Sequence, residues 1–304
     1  MQFRILGPPD LYDEATGRSV PLNAPKTRLL LGTLLARPNA PVARETLVRN
    51  SGHRSPRQVP HTLNAHVSAL RARLLRAEPD RHGAPRLTAR AGGYALAVRP
   101  EESDAGRFHH LLGRARRTAA GDPEGTYRTL CRSLALWRGP VLGGGPHGPA
   151  CAGLTARLER VRQDTLALYF DCALRTGRHE RAVPELREAV AAHPLDERLH
   201  DLLMLALCRC GRGPEAIGVY QRARRRLTAV HGRTPLLTAR LEQISVCSPV
   251  LTDPAAEDPR AEDPRAAGPA RTAPGRPDAP AAFAPRTVLG YLTEVLSGQV
   301  LTSR

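Results

Sequence analysis

Lysine is all but missing from this sequence: Lys26 is the single lysine among 45 basic residues in a chain of 304. Aromatic residues amount to 4% with one tryptophan, so aliphatic side chains must fill most of any core. The cysteines at 131, 151, 172, 208, 210 and 247 form no CxxC pair and have no histidines at zinc-finger spacing, which argues against a structural zinc site. Cys208 and Cys210 lie two apart in an apolar helical run and so face different sides of it; free, buried thiols are expected. No apolar run approaches the roughly 20 residues that a membrane span requires. The opening MQFRILGPPD lacks the basic and apolar regions of a signal peptide. A cytoplasmic, nucleoid-associated protein without a membrane partner is expected.

Catalytic signatures are equally scarce. Gly143-Gly144-Gly145 is followed by no Gly-Lys-Ser/Thr, so it reads as a connection and not as a phosphate-binding loop. His109-His110, His193 and His200 build no HExxH, and no GxSxG nucleophile elbow occurs. Trp137, at the end of an amphipathic helix, reads as core. The expectation is a protein that is not an enzyme, with no catalytic residues, no metal and no cofactor.

What the sequence does have is positive charge and helix. The formal net charge is +16 and apolar residues make up 41%. Arginine in place of lysine fits a GC-rich coding sequence, but that does not explain the excess of bases over acids, which favours polyanionic partners. Residues 1–98 carry 15 basic and 6 acidic side chains, residues 104–247 carry 23 and 14, and residues 248–304 carry 6 and 7. The length suffices for two domains, each with a core of its own.

In the first segment, Phe3 to Gly7 alternates like a strand and runs into a Pro-Pro turn, and Ser19 to Leu22 is a second short extended piece. Lys26–Ala36 is a helix with an apolar face of Leu29, Leu30, Leu34 and Leu35, and Arg44–Arg49 is a shorter one. A third helix runs over Pro60–Arg76, where Leu63, Val67, Leu70 and Leu74 form a buried stripe. Two alternating runs, Arg86–Arg90 and Tyr94–Val98, flank Ala91-Gly92-Gly93 as a β-hairpin. Strands, three helices and a hairpin make a winged helix.

The second segment is helical and repetitive. Gly177-Arg178 with Ala182 recurs as Gly211-Arg212 with Ala216, an offset of 34 residues, and Leu168 and Leu174 match Leu202 and Cys208 at the same offset. That period, with small residues at helix contacts, is tetratricopeptide-like, and Pro194 suits the turn closing one repeat. Helical spacing also covers 104–118 and 123–137. Beyond 248, prolines recur every five residues from Pro249 to Pro274 and EDPRA is duplicated, so 248–286 reads as a disordered linker. Residues 287–304 read as a short amphipathic tail, marginal as an isolated helix.

The third helix carries the candidate chemistry. Outward from its apolar stripe lie His61, Ala65, Ser68, Ala69, Ala72 and Arg76, flanked by Thr62, Asn64, Arg71 and Arg73. A helix in the major groove needs small residues for close approach and donors or acceptors near its N-terminal end, which His61, Thr62, Asn64, Ala65 and Ser68 supply. Arg71, Arg73 and Arg76 suit phosphates, as does Arg57 just upstream. Nine arginines against two acids between Arg49 and Arg90 make one positive surface. Arg90, beside the Gly92-Gly93 hairpin tip, is placed to reach a neighbouring groove or backbone.

These residues resemble a known family. FRILGP at 3–8, TLNAHVSALRARL at 62–74 and RLTARAGGYALAV at 86–98 are similar to the OmpR-type winged helix. With SLALWRGPVL at 133–142, GRHERAVPEL at 177–186, HPLDERLHDLLMLALCRCGR at 193–212 and AIGVYQRARRRL at 216–227, residues 1–246 resemble the actinobacterial antibiotic regulatory proteins. The resemblance implies an α+β winged-helix domain over 1–98 and an all-α, tetratricopeptide-like bacterial transcriptional activation domain over 104–246. It further implies double-stranded promoter DNA with direct repeats and RNA polymerase as partners, a homodimer on DNA, and activation of a secondary-metabolite gene cluster. The family pattern has Leu-Trp-Gly at the end of the second helix, where this chain has Arg49-Asn50-Ser51-Gly52. That change removes a hydrophobic anchor from the loop before the third helix, which in the family helps contact polymerase. Pro60 is expected to shorten the third helix. The alternative is a repressor, or a helical-repeat scaffold that holds a peptide.

Overall fold

A computed structural model describes residues 1–14, 16–50, 59–79, 82–144 and 148–251. The proline-periodic stretch from 252 onward, the tail at 287–304 and Arg57 lie outside the described residues. Among those described, the chain forms two compact units, residues 1–114 with 129–165 and residues 115–128 with 166–251.

The first unit opens with an antiparallel sheet of β1 (Gln2–Arg4), β2 (Asp10–Tyr12) and β3 (Ser19–Pro21), in that order. Phe3 pairs with Leu11 and Leu11 with Val20, which lines one row of apolar side chains across it. Helix α1 (Pro25–Leu35) follows, then strand β4 (Val42–Ala43), α2 (Arg44–Asn50) and α3 (Val59–Ala77). Strands β5 (Leu87–Arg90) and β6 (Gly93–Leu96) form the hairpin, with β4 on the far side of β6. Strands β2 and β4 have no counterpart in the sequence reading: Asp10–Tyr12 follows directly on the Pro-Pro turn, and Val42–Ala43 is only two residues long. Helix α3 begins one residue before Pro60, so the proline sits in the first turn, where its missing N–H costs nothing, and the helix is not shortened.

The predicted stripe of α3 is buried: Leu63, Val67, Leu70 and Leu74 are all at 5% exposure or less. Each such side chain contributes about 2 kcal/mol. Helix α1 is buried more widely than its predicted single face, with Leu31 inaccessible as well. A Cβ on Gly32 would meet Leu142 at 2.7 Å and the Cys151 sulfur at 2.9 Å, so only glycine allows that approach. The core is therefore continuous from Phe3 through Leu70 to Phe108, Trp137, Leu142 and Leu158. Trp137 is core as expected, with an edge-to-face contact to Phe108 at 5.4 Å and the Arg162 guanidinium 4.7 Å from its ring centre.

A buried carboxylate fastens the N-terminal strand into this core. Asp104 opens α4 (Asp104–Thr118) and accepts from the Ile5 N–H at 2.9 Å and the Leu6 N–H at 2.9 Å. In return the Arg138 N–H donates to the Leu6 carbonyl at 2.6 Å and the Leu142 N–H to the Ile5 carbonyl at 2.9 Å. Burial pushes the Asp104 carboxyl above its ordinary value, opposed by those N–H donors and by Arg138. Gly7, at φ +151°, packs against Arg138 so closely that a Cβ would lie 2.8 Å from that side chain.

The second unit holds the start of α5 (Pro123–Leu134) and the C-terminal part of α6 (Pro149–Arg175), then α7 (His179–Ala192), α8 (Glu197–Arg209), α9 (Gly213–His231) and α10 (Pro235–Ser245). The 34-residue offset is visible in the backbone. Gly177 at φ +78° and Gly211 at φ +71° end α6 and α8 in the same left-handed turn. Arg178 N–H donates to the Ala173 carbonyl and Arg212 N–H to the Leu207 carbonyl, while Gly177 and Gly211 donate to Leu174 and Cys208. Ala182 and Ala216 are both buried at the helix contacts that follow. Arg240 on α10, 1% exposed, forms a two-pronged ion pair with Asp201 on α8 at 2.8 and 3.0 Å. Leu251 is 7% exposed, so packing continues past residue 248, where the sequence placed the linker's start.

Replacing Asp104 by alanine leaves the Ile5 and Leu6 N–H groups without their acceptor. It is expected to destabilise the protein by about 3 kcal/mol in urea unfolding. Asp104→Asn, which keeps one acceptor oxygen, should cost less; equal stability of Asp104→Ala and the parent would refute the anchoring role.

Candidate nucleic-acid interface

Helix α3 presents a face of mostly small and polar residues, joined near its C-terminal end by Leu75, which is 67% exposed. Asn64, Ala65, Ser68, Ala69, Ala72 and Arg76 are exposed, opposite the buried stripe. His61 and Thr62 fall on the helix, but their side chains lie outside what is described. The hairpin turn has Gly92 exposed at φ +73°, with Arg90 exposed beside it. Its carbonyl accepts from the Arg44 N–H at 3.0 Å, which ties the turn to the start of α2.

A polar cluster that the sequence reading missed organises the N-terminal part of this face. The Asn64 Oδ1 accepts from Arg44 at 3.2 Å and from the Tyr94 hydroxyl at 3.2 Å, and Arg44 also donates to Tyr94 at 3.1 Å. Arginine is a donor only, so Oδ1 must face it and the Asn64 amide N–H groups turn elsewhere. Arg44 and Tyr94 lie 20 and 30 residues from Asn64 in sequence, and no local pattern joins them. A tyrosine in the hairpin beside an arginine at a helix start was the available signal.

The arginines divide into two groups. Arg71 donates to the Leu87 carbonyl at 3.2 Å, and Arg73 donates to the carbonyl of Pro21 on β3. Arg86, 7% exposed, is held between Glu78 and Glu102 by bonds of 2.7 to 3.0 Å, and these partners raise its pKa. It belongs to the interior and leaves the continuous positive surface expected between 49 and 90. Arg76 and Arg90 are exposed and have no ion-pair partner among the described residues. Gly93, proposed from sequence as part of the interface, is buried in β6, where a Cβ would collide with the backbone carbonyl of Val42. Glycine at 93 thus serves the close pairing of β4 with β6.

Asn50 closes α2. Its side chain, 3% exposed, donates to the Thr46 carbonyl at 2.7 Å and accepts from the Ala150 N–H at 2.6 Å. Where the family pattern has a hydrophobic anchor, this chain has a buried amide bonded on both sides. Ser51 and Gly52 lie outside the described residues.

Among the described residues no cluster of three or more His, Cys, Asp or Glu side chains is placed to hold a metal, and no helix is long and apolar enough to cross a membrane. Burial pushes the Cys172 thiol up to about 12, so it stays protonated and unreactive.

The family model for the bacterial transcriptional activator domain matches residues 103–244. The transcriptional regulator RedD of Streptomyces coelicolor is 34% identical over 259 residues, which span 84% of this chain and 73% of RedD. The chain belongs to the Streptomyces antibiotic regulatory protein family. The regulatory protein DnrI of Streptomyces peucetius is 30% identical over 249 residues, 80% of this chain and 90% of DnrI. The regulatory protein AfsR of S. coelicolor is 36% identical, but the chain spans only 23% of its length. A solved structure of Mycobacterium tuberculosis EmbR in complex with a low affinity phosphopeptide superposes with a TM-score of 0.73 at 28% identity, over 82% of this chain and 65% of that one. As a member of this family the chain is a transcriptional regulator with an activator domain, built as small N-terminal sheets and a helical domain like that of EmbR.

Two glycines one position apart are expected to respond differently. Gly93→Ala should lower stability by at least about 2 kcal/mol, because the backbone of β4 cannot move aside without losing its pairing. Gly92→Ala should cost about 1 kcal/mol, for its left-handed conformation alone. Thermal melts followed by circular dichroism separate the two, and equal melting points would refute the assignment.

Proposed function

We propose that this regulator is a pathway-specific activator of a secondary-metabolite gene cluster, with residues 1–98 as an OmpR-type winged helix that reads promoter DNA. Residues 104–246 are its tetratricopeptide-like regulatory domain, which recruits RNA polymerase at direct repeats. The observation that carries the reading is the outward face of α3. Ala65, Ser68, Ala69 and Ala72 are small and exposed, with Asn64 toward the N-terminal end and Arg76 toward the C-terminal end. A helix with that profile approaches base edges closely in the major groove. Arg76 and Arg90 are exposed and form no ion pair among the described residues, so their positive charge is available to phosphates. Arg71 and Arg73 also donate to the carbonyls of Leu87 and Pro21, and the exposed Arg71 keeps its terminal N–H groups for a phosphate. Family membership, with RedD a transcriptional regulator, supports the same reading.

Asn64 has a defined part in it. With Oδ1 occupied by Arg44 and Tyr94, the side chain offers N–H donors, which suit the acceptor-rich major-groove edge of guanine or the N7 of adenine. The expected specificity is thus set jointly by α3 and by the two residues that hold Asn64 in place.

Gel-shift titration against the promoters of a neighbouring biosynthetic cluster tests the proposal. Arg76→Gln and Arg90→Gln should each weaken binding to all sequences alike and lower the slope of log affinity against log salt by about 1. Asn64→Ala should change the ranking among sequences, at about 1–3 kcal/mol for the preferred base. Arg73→Gln should lower the melting temperature more than it lowers affinity. Unchanged affinity in the Arg76→Gln/Arg90→Gln double variant would rule this surface out.

A further inference from the structure

The second unit contains a groove of about 870 Å³ between α7, α8 and α9, remote in sequence from the DNA-reading residues. Its floor is aliphatic, with Val190, Leu203, Val219 and Ala223, and arginines 187, 222, 225 and 226 stand along it. Glycine 218, arginine 222 and arginines 225 and 226 recur at helical spacing, so they line one face of α9. Glu215 is the acid at one end, and it is neutralised by Arg187 at 2.6 Å and Arg212 at 2.6 Å. Arg222, Arg225 and Arg226 are exposed and form no ion pair among the described residues.

His200 adds an independent feature. It lines the groove, is 6% exposed, and its Nε2 lies 3.1 Å from the Pro194 carbonyl. A carbonyl only accepts, so Nε2 carries the proton and Nδ1 is an acceptor, and that atom has no partner within the protein. Burial holds the imidazole pKa below its ordinary value, which keeps the ring neutral. The groove therefore combines an apolar floor and a cationic edge, with a neutral imidazole in its lining.

We propose that this groove docks an acidic segment of a partner protein, in which carboxylates flank aliphatic side chains. The carboxylates meet Arg222, Arg225 and Arg226, and the aliphatic side chains cover Val190, Leu203, Val219 and Ala223. A phosphate backbone would find partners for the arginines but none for the floor. A small anion would leave most of so large and open a groove unfilled, since small-molecule sites bury most of their ligand. Gly218 keeps the floor open beside Arg222, since the Arg222 guanidinium is the one neighbour within reach of a Cβ built there. This proposal is independent of the DNA-binding reading and concerns a different unit of the chain.

Fluorescence anisotropy on the full chain provides the test, with a short labelled peptide in which Glu pairs flank Leu residues. The control is the same peptide with each Leu replaced by Ser. The Leu peptide is expected to bind at least about tenfold more tightly than the Ser peptide, with affinity falling as salt rises. Arg222→Glu/Arg226→Glu should abolish binding, and Gly218→Phe, which fills the groove at a helical position, should weaken it about tenfold with no loss in melting temperature. Promoter-DNA affinity should stay at the parent value in both variants. Equal binding of the two peptides, or binding that survives both variants, would overturn the proposal. So would a loss of DNA affinity in Arg222→Glu/Arg226→Glu as large as the loss of peptide affinity, which would assign the arginines to DNA.

Discussion

The Asp104 carboxylate sits where the first strand of the chain meets residues a hundred positions downstream. Its two oxygens satisfy the N–H groups of Ile5 and Leu6, and the N–H groups of Arg138 and Leu142 satisfy the carbonyls of the same two residues. Buried backbone groups without partners are costly, so this reciprocal set holds β1 in one place and one register. The sheet of β1 to β3 in turn receives Arg73 on the Pro21 carbonyl, which fixes the position of α3. Helix α3 is thus held by contacts that begin outside residues 1–98. The core agrees, since Phe108, Trp137 and Leu142 pack with Leu31 and Leu70 in one cluster.

Charge in this protein has several different uses, and the net value of +16 conceals them. Arg86 between two glutamates and Arg240 against Asp201 are interior ion pairs with well-formed geometry. Such pairs gain little net stability over apolar substitutes but specify one arrangement of the elements they join. Arg71 and Arg73 each give a donor to a backbone carbonyl. Exposed arginines that form no ion pair among the described residues include Arg76 and Arg90 in the first unit, and Arg222, Arg225 and Arg226 in the second. Those two groups differ in what surrounds them. Small residues and an amide lie beside the first, and an aliphatic floor lies beside the second, which is why one suits nucleic acid and the other suits a peptide.

The family match and the packing divide the chain differently. The activator-domain match begins at residue 103, while the compact units assign residues 104–114 and 129–165 to the same body as the N-terminal strands. A family model follows shared descent along the sequence, and packing follows burial. In this chain the first helices of the activator domain complete the core of the N-terminal unit.

Periodicity by itself determined the long elements: the buried stripe of α3, the hairpin around Gly92, and the 34-residue offset seen again in the turns at Gly177 and Gly211. These were legible because each rests on contacts between residues close in sequence, where apolar spacing and glycine conformation are written directly. The outward face of α3 could be read for the same reason, as the complement of its buried stripe. The short strands β2 and β4 were not legible, since each is defined by its pairing with strands elsewhere in the chain, β2 with β1 and β3, and β4 with β6. Nor was the sorting of arginines into braces, interior pairs and free charges, because identical side chains differ only in which distant carbonyl or carboxylate they meet. Gly93, Arg44 and Tyr94 belong to the same class. Composition and local pattern showed a basic, largely helical chain; only the tertiary structure decided which of its charges remain available to a partner.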